Sequence, residues 1–380
     1  MVRVAGTRLV LTVLGTTLLA CTLAGPALAG FDEEVDQQAS DAMTVASKVK
    51  PKGHWLPVPI PVANPTLGNG LQAALLYLHP KAPGQEGTPG STSGVGVMAT
   101  DSKSWAAVVF HDGSLAEDRY RLNAAGGVGE FNLRYYGTGG VALSGGVPVD
   151  YKFSVAGGQV RFGVRLPGTA HWYAGVTYLL LQSTVEFDIP DVQPGLPDVA
   201  RDLKTAALGP QITYDSRDSN YFPLNGQYFR ASWMNYAPRW GSDVSYDKFD
   251  LFYNHYVPLA PRAVLGLRTR VQHGSDETPF FDLPYLDMRG FSRTRYVAEN
   301  TVSLTAEGRY KFAERWGAMV FAEAGRYADT FSELSKGRTI ASYGGGVRWQ
   351  VTADRDMHLG LDVAISTDDR AAFIQVGERF

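Results

Sequence analysis

Between Thr301 and Phe312 the chain alternates without a break. Thr301, Ser303, Thr305, Glu307, Arg309 and Lys311 fall on one side, and Val302, Leu304, Ala306, Gly308, Tyr310 and Phe312 on the other. Successive side chains of a β-strand point to opposite faces, so this pattern specifies a strand with one wholly polar and one apolar face. Two settings accept it: a soluble sheet with one wet face, or a barrel wall with lipid outside and water inside. Beyond the N-terminus no window offers the roughly 18 consecutive apolar residues of a membrane helix. If the chain crosses a bilayer, it does so with strands.

Composition agrees with a strand-rich protein. There are 42 Gly, 19 Tyr, 18 Phe and 7 Trp, with only 19% charged residues. That mixture suits many strands, tight turns and aromatic girdles. A net charge of −3 gives no basic field for nucleic acid, so no nucleic-acid partner is expected.

Residues 1–29 read as an export signal: Arg3 and Arg8 precede an apolar run from Leu9 to Leu23, and Ala27-Leu28-Ala29 supplies small residues for cleavage. A competing reading takes Leu18-Leu19-Ala20-Cys21 as a lipobox with Cys21 acylated. Cys21 is the only cysteine, so cleavage after Ala29 leaves an exported chain with neither disulfides nor thiol chemistry. Residues 30–68 read as a short periplasmic lead-in and a connector stiffened by Pro57, Pro59, Pro61 and Pro65.

Residues 69–380 break into sixteen strand-like runs, from 69–79 to 371–380, with 118–126 and 128–137 separated at Gly126-Gly127. An even number lets an antiparallel membrane sheet close with both ends on one side, which satisfies its edges. The connections alternate in length: DSKS, PGTA, APRA and AERW are short, whereas KAPGQEGTPG, GTGGVALSGGVP, DIPDVQPGLPDVARD and the stretch around Arg289 are long. Starting from the periplasm, the long ones fall outside, as outer-membrane barrels require. The expected fold is therefore an all-β, sixteen-stranded transmembrane antiparallel barrel in the outer membrane of a Gram-negative bacterium, in contact with its lipids.

Period-2 alternation in later strands places Lys248, Asp250, Arg268, Arg270, Glu307, Arg309, Glu323, Arg348 and Asp362 on the inner face, which implies a polar lumen. The final run ends in Phe380, preceded on its face by Glu378, Val376, Ile374 and Ala372. A terminal aromatic of this kind resembles the assembly signal of bacterial outer-membrane barrels, apart from the charge at Glu378.

Four C-terminal stretches together resemble the Omp85 superfamily, also called bacterial surface antigen D15. They are Asp215-Ser-Arg217-Asp218 followed by Phe222-Pro223 and Gly226; Met288-Arg289-Gly290-Phe291; Val320-Phe-Ala-Glu323-Ala-Gly325; and Ser342-Tyr-Gly-Gly-Gly-Val-Arg348-Trp349. The resemblance implies that the loop between the eleventh and twelfth strands folds into the lumen, where Arg289 meets acidic residues. Glu323 is the first choice of partner, with Glu307 second and Arg309 beside it. It also implies a weak seam between the first and last strands, and clients or a periplasmic partner for insertion or translocation. Family members normally carry periplasmic POTRA domains before the barrel, and this chain has no room for one, so it looks like a POTRA-less member.

Two other functions compete. A charged lumen could conduct ions or small solutes as a passive pore. An enzyme is not expected: there is no G-x-S-x-G elbow and no His/Cys/Asp cluster at metal-ligand spacing, and no cofactor is implied. Whether the Arg289 tripeptide acts on a substrate or only anchors the loop stays open at this level.

Overall fold

The structure is a computed structural model that describes residues 53–80, 91–139, 147–188, 202–218, 222–350, 358–367 and 369–376. The signal stretch 1–29 with Cys21, and the terminal Phe380, lie outside them. The described chain is one sheet of sixteen strands: β1 (His54–Asn64), β2 (Gly68–Leu78), β3 (Thr92–Thr100), β4 (Trp105–Leu115), β5 (Tyr120–Tyr135), β6 (Val149–Arg165), β7 (Trp172–Phe187) and β8 (Asp202–Asp215). It continues through β9 (Gly226–Tyr236), β10 (Tyr246–Ala260), β11 (Ala263–Gly274), β12 (Asn300–Lys311), β13 (Trp316–Ala328), β14 (Ile340–Gln350), β15 (His358–Ser366) and β16 (Arg370–Val376). Each strand pairs with the next in sequence, and the sheet curls until β1 lies beside β16. This is an all-β, nearly closed antiparallel barrel.

The count of sixteen holds, but its composition differs from the sequence reading in two places. The proline-rich connector is in fact strand β1, paired with β2 from His54↔Leu78 to Asn64↔Gly68. Proline is tolerated where a strand has a free edge, and β1 has one. In compensation, the runs 118–126 and 128–137 are a single strand. β5 continues through Gly126-Gly127, which pair with Gly158 and Gly157 of β6. A Cβ at Gly127 would sit 2.6 Å from the Ala107 carbonyl oxygen, so the glycines permit close strand approach rather than a turn.

The extra first strand also reassigns the early connections. The segment after Leu78, expected outside, joins β2 to β3 at the end that carries the turns β4–β5, β10–β11 and β12–β13. The long β11–β12 connection, 275–299, remains at the opposite end, as expected.

Burial follows the period of two. On β12, Ser303, Thr305, Glu307 and Arg309 are buried while Leu304 and Tyr310 are exposed. Leu71, Val97, Val109, Val320, Val347 and Leu361 extend the exposed apolar surface. Aromatics cluster at the short-turn end of this surface, where Trp172 lies against Tyr214 and Phe229, and Trp316 against Trp349. Amphipathic rings at one level fit a bilayer interface.

The lumen is not uniformly polar, contrary to expectation. Inner positions of β2–β7 supply Leu76, Met98, Val108, Phe131, Phe153 and Leu181, a buried apolar cluster that also receives Phe281 from the long connection. The charged inner positions expected from the sequence lie on β10–β15, and Asp112 on β4, Arg161 on β6 and Arg230 on β9 are buried charges besides. In the later strands the inner set is mostly charged and periodicity marks it; in the early strands the inner set mixes apolar residues with Gln72, Asn123, Gln159 and Thr177, so periodicity alone does not mark the inside.

Candidate functional site

The 275–299 connection folds against the inner wall, and three of its charged residues meet opposite charge there. Asp282 accepts from Lys248 Nζ at 2.5 Å and Tyr246 Oη at 2.8 Å. Asp287 Oδ2 accepts from Arg268 at 2.5 Å and Arg270 at 3.0 Å, while Arg270 also reaches Asp250 at 2.6 Å. Arg289 makes the third and densest contact.

Arg289 has 1% of its side chain exposed. Its backbone N–H donates to Glu323 Oε2 at 2.6 Å, its Nε to Glu323 Oε1 at 3.0 Å, and its Nη1 to Glu307 Oε2 at 2.8 Å. The guanidinium carbon lies 3.5 Å from the centroid of Phe321, a cation–π stack. Glu323 is held in turn by Ser342 Oγ at 2.9 Å, and Glu307 by Arg309 Nε at 2.8 Å. Arg348 forks onto both oxygens of Asp362, and the Oδ2 that accepts from Arg348 Nη2 also lies 3.7 Å from Arg289 Nη1. Three guanidiniums, Arg289, Arg309 and Arg348, thus face three carboxylates, Glu307, Glu323 and Asp362. Such matching is what allows ions to persist in a buried setting, because each unmatched charge there would cost several kcal/mol.

The neighbours of Arg289 fix its approach. Gly290 has φ +100°, and a Cβ there would come within 3.0 Å of Ser366 Cβ. Phe291 is buried with Leu286, Met288, Tyr296 and Ile340, edge-on to Tyr296 at 4.7 Å. The segment then crosses the seam between the first and last strands. On one side Arg293 N donates to Thr66 Oγ1 at 3.0 Å in the β1–β2 turn. On the other, Ser366 Oγ donates to the Gly290 carbonyl at 3.1 Å, and Arg295 pairs with Asp369 at 3.4 Å in the β15–β16 turn.

At the other mouth the β8–β9 turn turns inward. Asp215 accepts both Nε and Nη2 of Arg217 at 2.9 Å, and Asp218 Oδ1 caps the turn by accepting from Leu224 N at 3.0 Å and Asn225 N at 3.2 Å. Gly226 begins β9 with φ +107°. Pro223 is buried, and its carbonyl accepts from Arg309 Nη1 at 3.4 Å, with Phe222 packed on His358 at 4.2 Å. Arg309 therefore links this turn to Glu307 and so to Arg289. Near it a small cavity of about 70 Å³ is lined by Asp112, Arg121, Arg161, Thr213, Asp215 and Arg217 among others.

The structure thus brings together Arg289, Glu323, Glu307 and Arg309, and ties Pro223 to them. Asp215, Arg217, Asp218 and Gly226 shape the turn rather than the cluster. Sequence reasoning missed Asp282, Asp287, Arg348 and Asp362 as members of the clasp. A signal existed for Asp287: Arg268 and Arg270 on one inner face demand a counter-charge, and the adjoining loop carries it. No group of metal-ligating residues occurs among the described residues.

A model of the Omp85 superfamily domain matches residues 144–353. The chain belongs to the Omp85 superfamily. It is an outer-membrane β-barrel of that type, and its fold has solved counterparts. One is BamA from Haemophilus ducreyi lacking POTRA domains 1–3, at 15% identity and TM-score 0.58, covering 87% of this chain and 71% of that one. CdiB from Acinetobacter baumannii is similar at 14% identity and TM-score 0.55, over 86% of this chain and 60% of that one. CdiB from Escherichia coli gives 12% identity and TM-score 0.56, over 86% and 63%. The Omp85 chain thus spans less than two thirds of either CdiB. No curated protein matches its sequence.

Proposed function

We propose that this Omp85 barrel assists the insertion or translocation of proteins at the outer membrane, working through its seam and the loop clasped beside it. The observation that carries this reading is the seam itself: among the described residues no ladder joins β1 to β16, although the two strands lie side by side. A barrel built only to conduct solutes gains from full closure, because open edges leave backbone groups unpaired in lipid. A seam bridged at its outer end by side chains and loop backbone can separate without breaking a continuous ladder. The clients are proteins or other macromolecules entering from the periplasm, with a periplasmic partner to deliver them, and the role calls for no catalytic residue.

The passive-pore alternative is disfavoured by the interior. Phe131 and Phe153 on one wall and Glu307 and Asp362 on the other are at 0% exposure, and the long connection lies between them with Arg289 at 1%. The test is depletion of the protein in its host, followed by quantification of outer-membrane proteins and lipids. Loss of a subset of outer-membrane or surface proteins is expected, and an unchanged envelope overturns the proposal. Planar-bilayer recording is the second arm: small, erratic openings are expected, and large steady ones favour a pore.

A further inference from the structure

Pro57, Pro59 and Pro61 stand at alternate positions of β1. Along a strand the amide N–H groups point alternately to the two edges, so all three ring nitrogens face the same edge. That edge cannot be the one paired with β2. The β1–β2 ladder runs without interruption through eleven residue pairs, including Pro57↔Leu75, Pro59↔Ala73 and Pro61↔Leu71. In an antiparallel ladder a missing N–H toward the partner would remove both the bonded pair and the pairs flanking it. The bonds to β2 must therefore come from Leu56, Val58, Ile60 and Val62, and the prolines face β16.

We infer that the middle of the β1 edge of the seam, from Pro57 to Pro61, is stripped of hydrogen-bond donors by Pro57, Pro59 and Pro61, and that a strand entering the seam is taken up by the edge of β16. The second half rests on the proposed insertion role. β16, RAAFIQV, contains no proline, so its free edge keeps both donors and acceptors. An edge of this kind in a bilayer is completed by an extended segment with its own unpaired backbone, and an unfolded transmembrane β-strand of another outer-membrane protein has that chemistry. The prolines also explain why β1 and β16 lie together without a ladder, and why the outer end of the seam is tied instead through Thr66, Ser366 and Asp369.

Two measurements on the full-length protein in proteoliposomes test this. In the first, Pro57→Val, Pro59→Val and Pro61→Val are combined, and amide exchange is followed in peptides from β16. Restored donors are expected to slow exchange along the β16 edge at least tenfold, whereas unchanged exchange in a folded variant overturns the blocked-edge assignment. Each single variant is expected to show a smaller slowing, so that a triple variant that fails to fold leaves a readout. In the second, a photo-crosslinking residue replaces the exposed Ala372 on β16 or the exposed Trp55 on β1, and urea-unfolded outer-membrane barrel protein is the probe. Capture from position 372 but not 55 is expected. Capture from 55 overturns the edge assignment. Capture from neither, with the exchange result intact, overturns the insertion reading and the docking half of the inference while leaving the blocked edge standing.

Discussion

Arg289 holds Glu323 twice, once through its backbone N–H at 2.6 Å and once through Nε at 3.0 Å. Loop backbone and loop side chain are thus fixed to the same strand by one carboxylate. Arg289→Ala is expected to leave Glu323 and Glu307 short of a cation and to cost about 3–5 kcal/mol. The urea midpoint of the heat-modifiable band is the measure. The charge swap Arg289→Glu with Glu323→Arg is expected to recover only part of the loss, because Glu307 then meets a second carboxylate and the residue-289 amide loses its acceptor. Full recovery would show that Glu307 is not a true partner.

Asp287 serves Arg268 and Arg270 together. Asp287→Asn removes the shared charge while nearly preserving shape, so the connection is expected to detach from the wall at that point. Protease added to the outer face of whole cells should cut within 275–299 several times faster than in the parent protein. Equal cutting rates would mean that the remaining contacts suffice to hold the loop.

The β4–β5 turn offers a pH test. Asp118 is buried, which by itself would raise its pKa, but Arg121, the Tyr173 hydroxyl and Ser114 outweigh this and hold the carboxyl below its usual value of 3.8. A carboxylate lowered on folding stabilises the folded state above the unfolded-state value and loses that contribution as pH falls through the folded one. The parent should therefore lose more stability than Asp118→Asn as pH is lowered below about 4. Parallel curves would remove Asp118 from the acid response.

That same turn is strained, since Ala116, Glu117 and Asp118 have φ of 50°, 58° and 62°. Glu117→Gly is expected to raise stability by about 0.5–1 kcal/mol, read from the denaturation midpoint, because glycine accepts this region without a Cβ penalty. A lower midpoint would show that the glutamate contributes more than its backbone costs.

Thr66 receives the loop from the β1 side of the seam. Thr66→Val removes the acceptor of the Arg293 amide and is expected to increase the frequency of brief conductance events in planar bilayers by several-fold. An unchanged record would place the seam's closure elsewhere.

Alternation by itself determined that this is a sheet with one polar and one apolar face, because a period of two states which side chains share a face wherever the two sets differ in polarity; the even number of runs and the unequal loop lengths then turned the apolar face to lipid. β12, β14 and β15 were legible for that reason, and Arg289, which carries a charge that burial obliges to find a carboxylate, was legible once its loop was taken as inward. The prolines of β1 and the glycines of β5 were not. A missing donor means a connector in isolation and an edge strand beside β2, and a glycine pair means a turn in isolation and close approach between β4 and β6. Those meanings depend on the neighbour across the ladder, and only the tertiary structure supplies it. The same holds for the clasp: Asp282, Asp287, Arg348 and Asp362 join it because closure of the sheet brings distant strands to one loop, and loop and turn meet through Arg309 only when the barrel is complete.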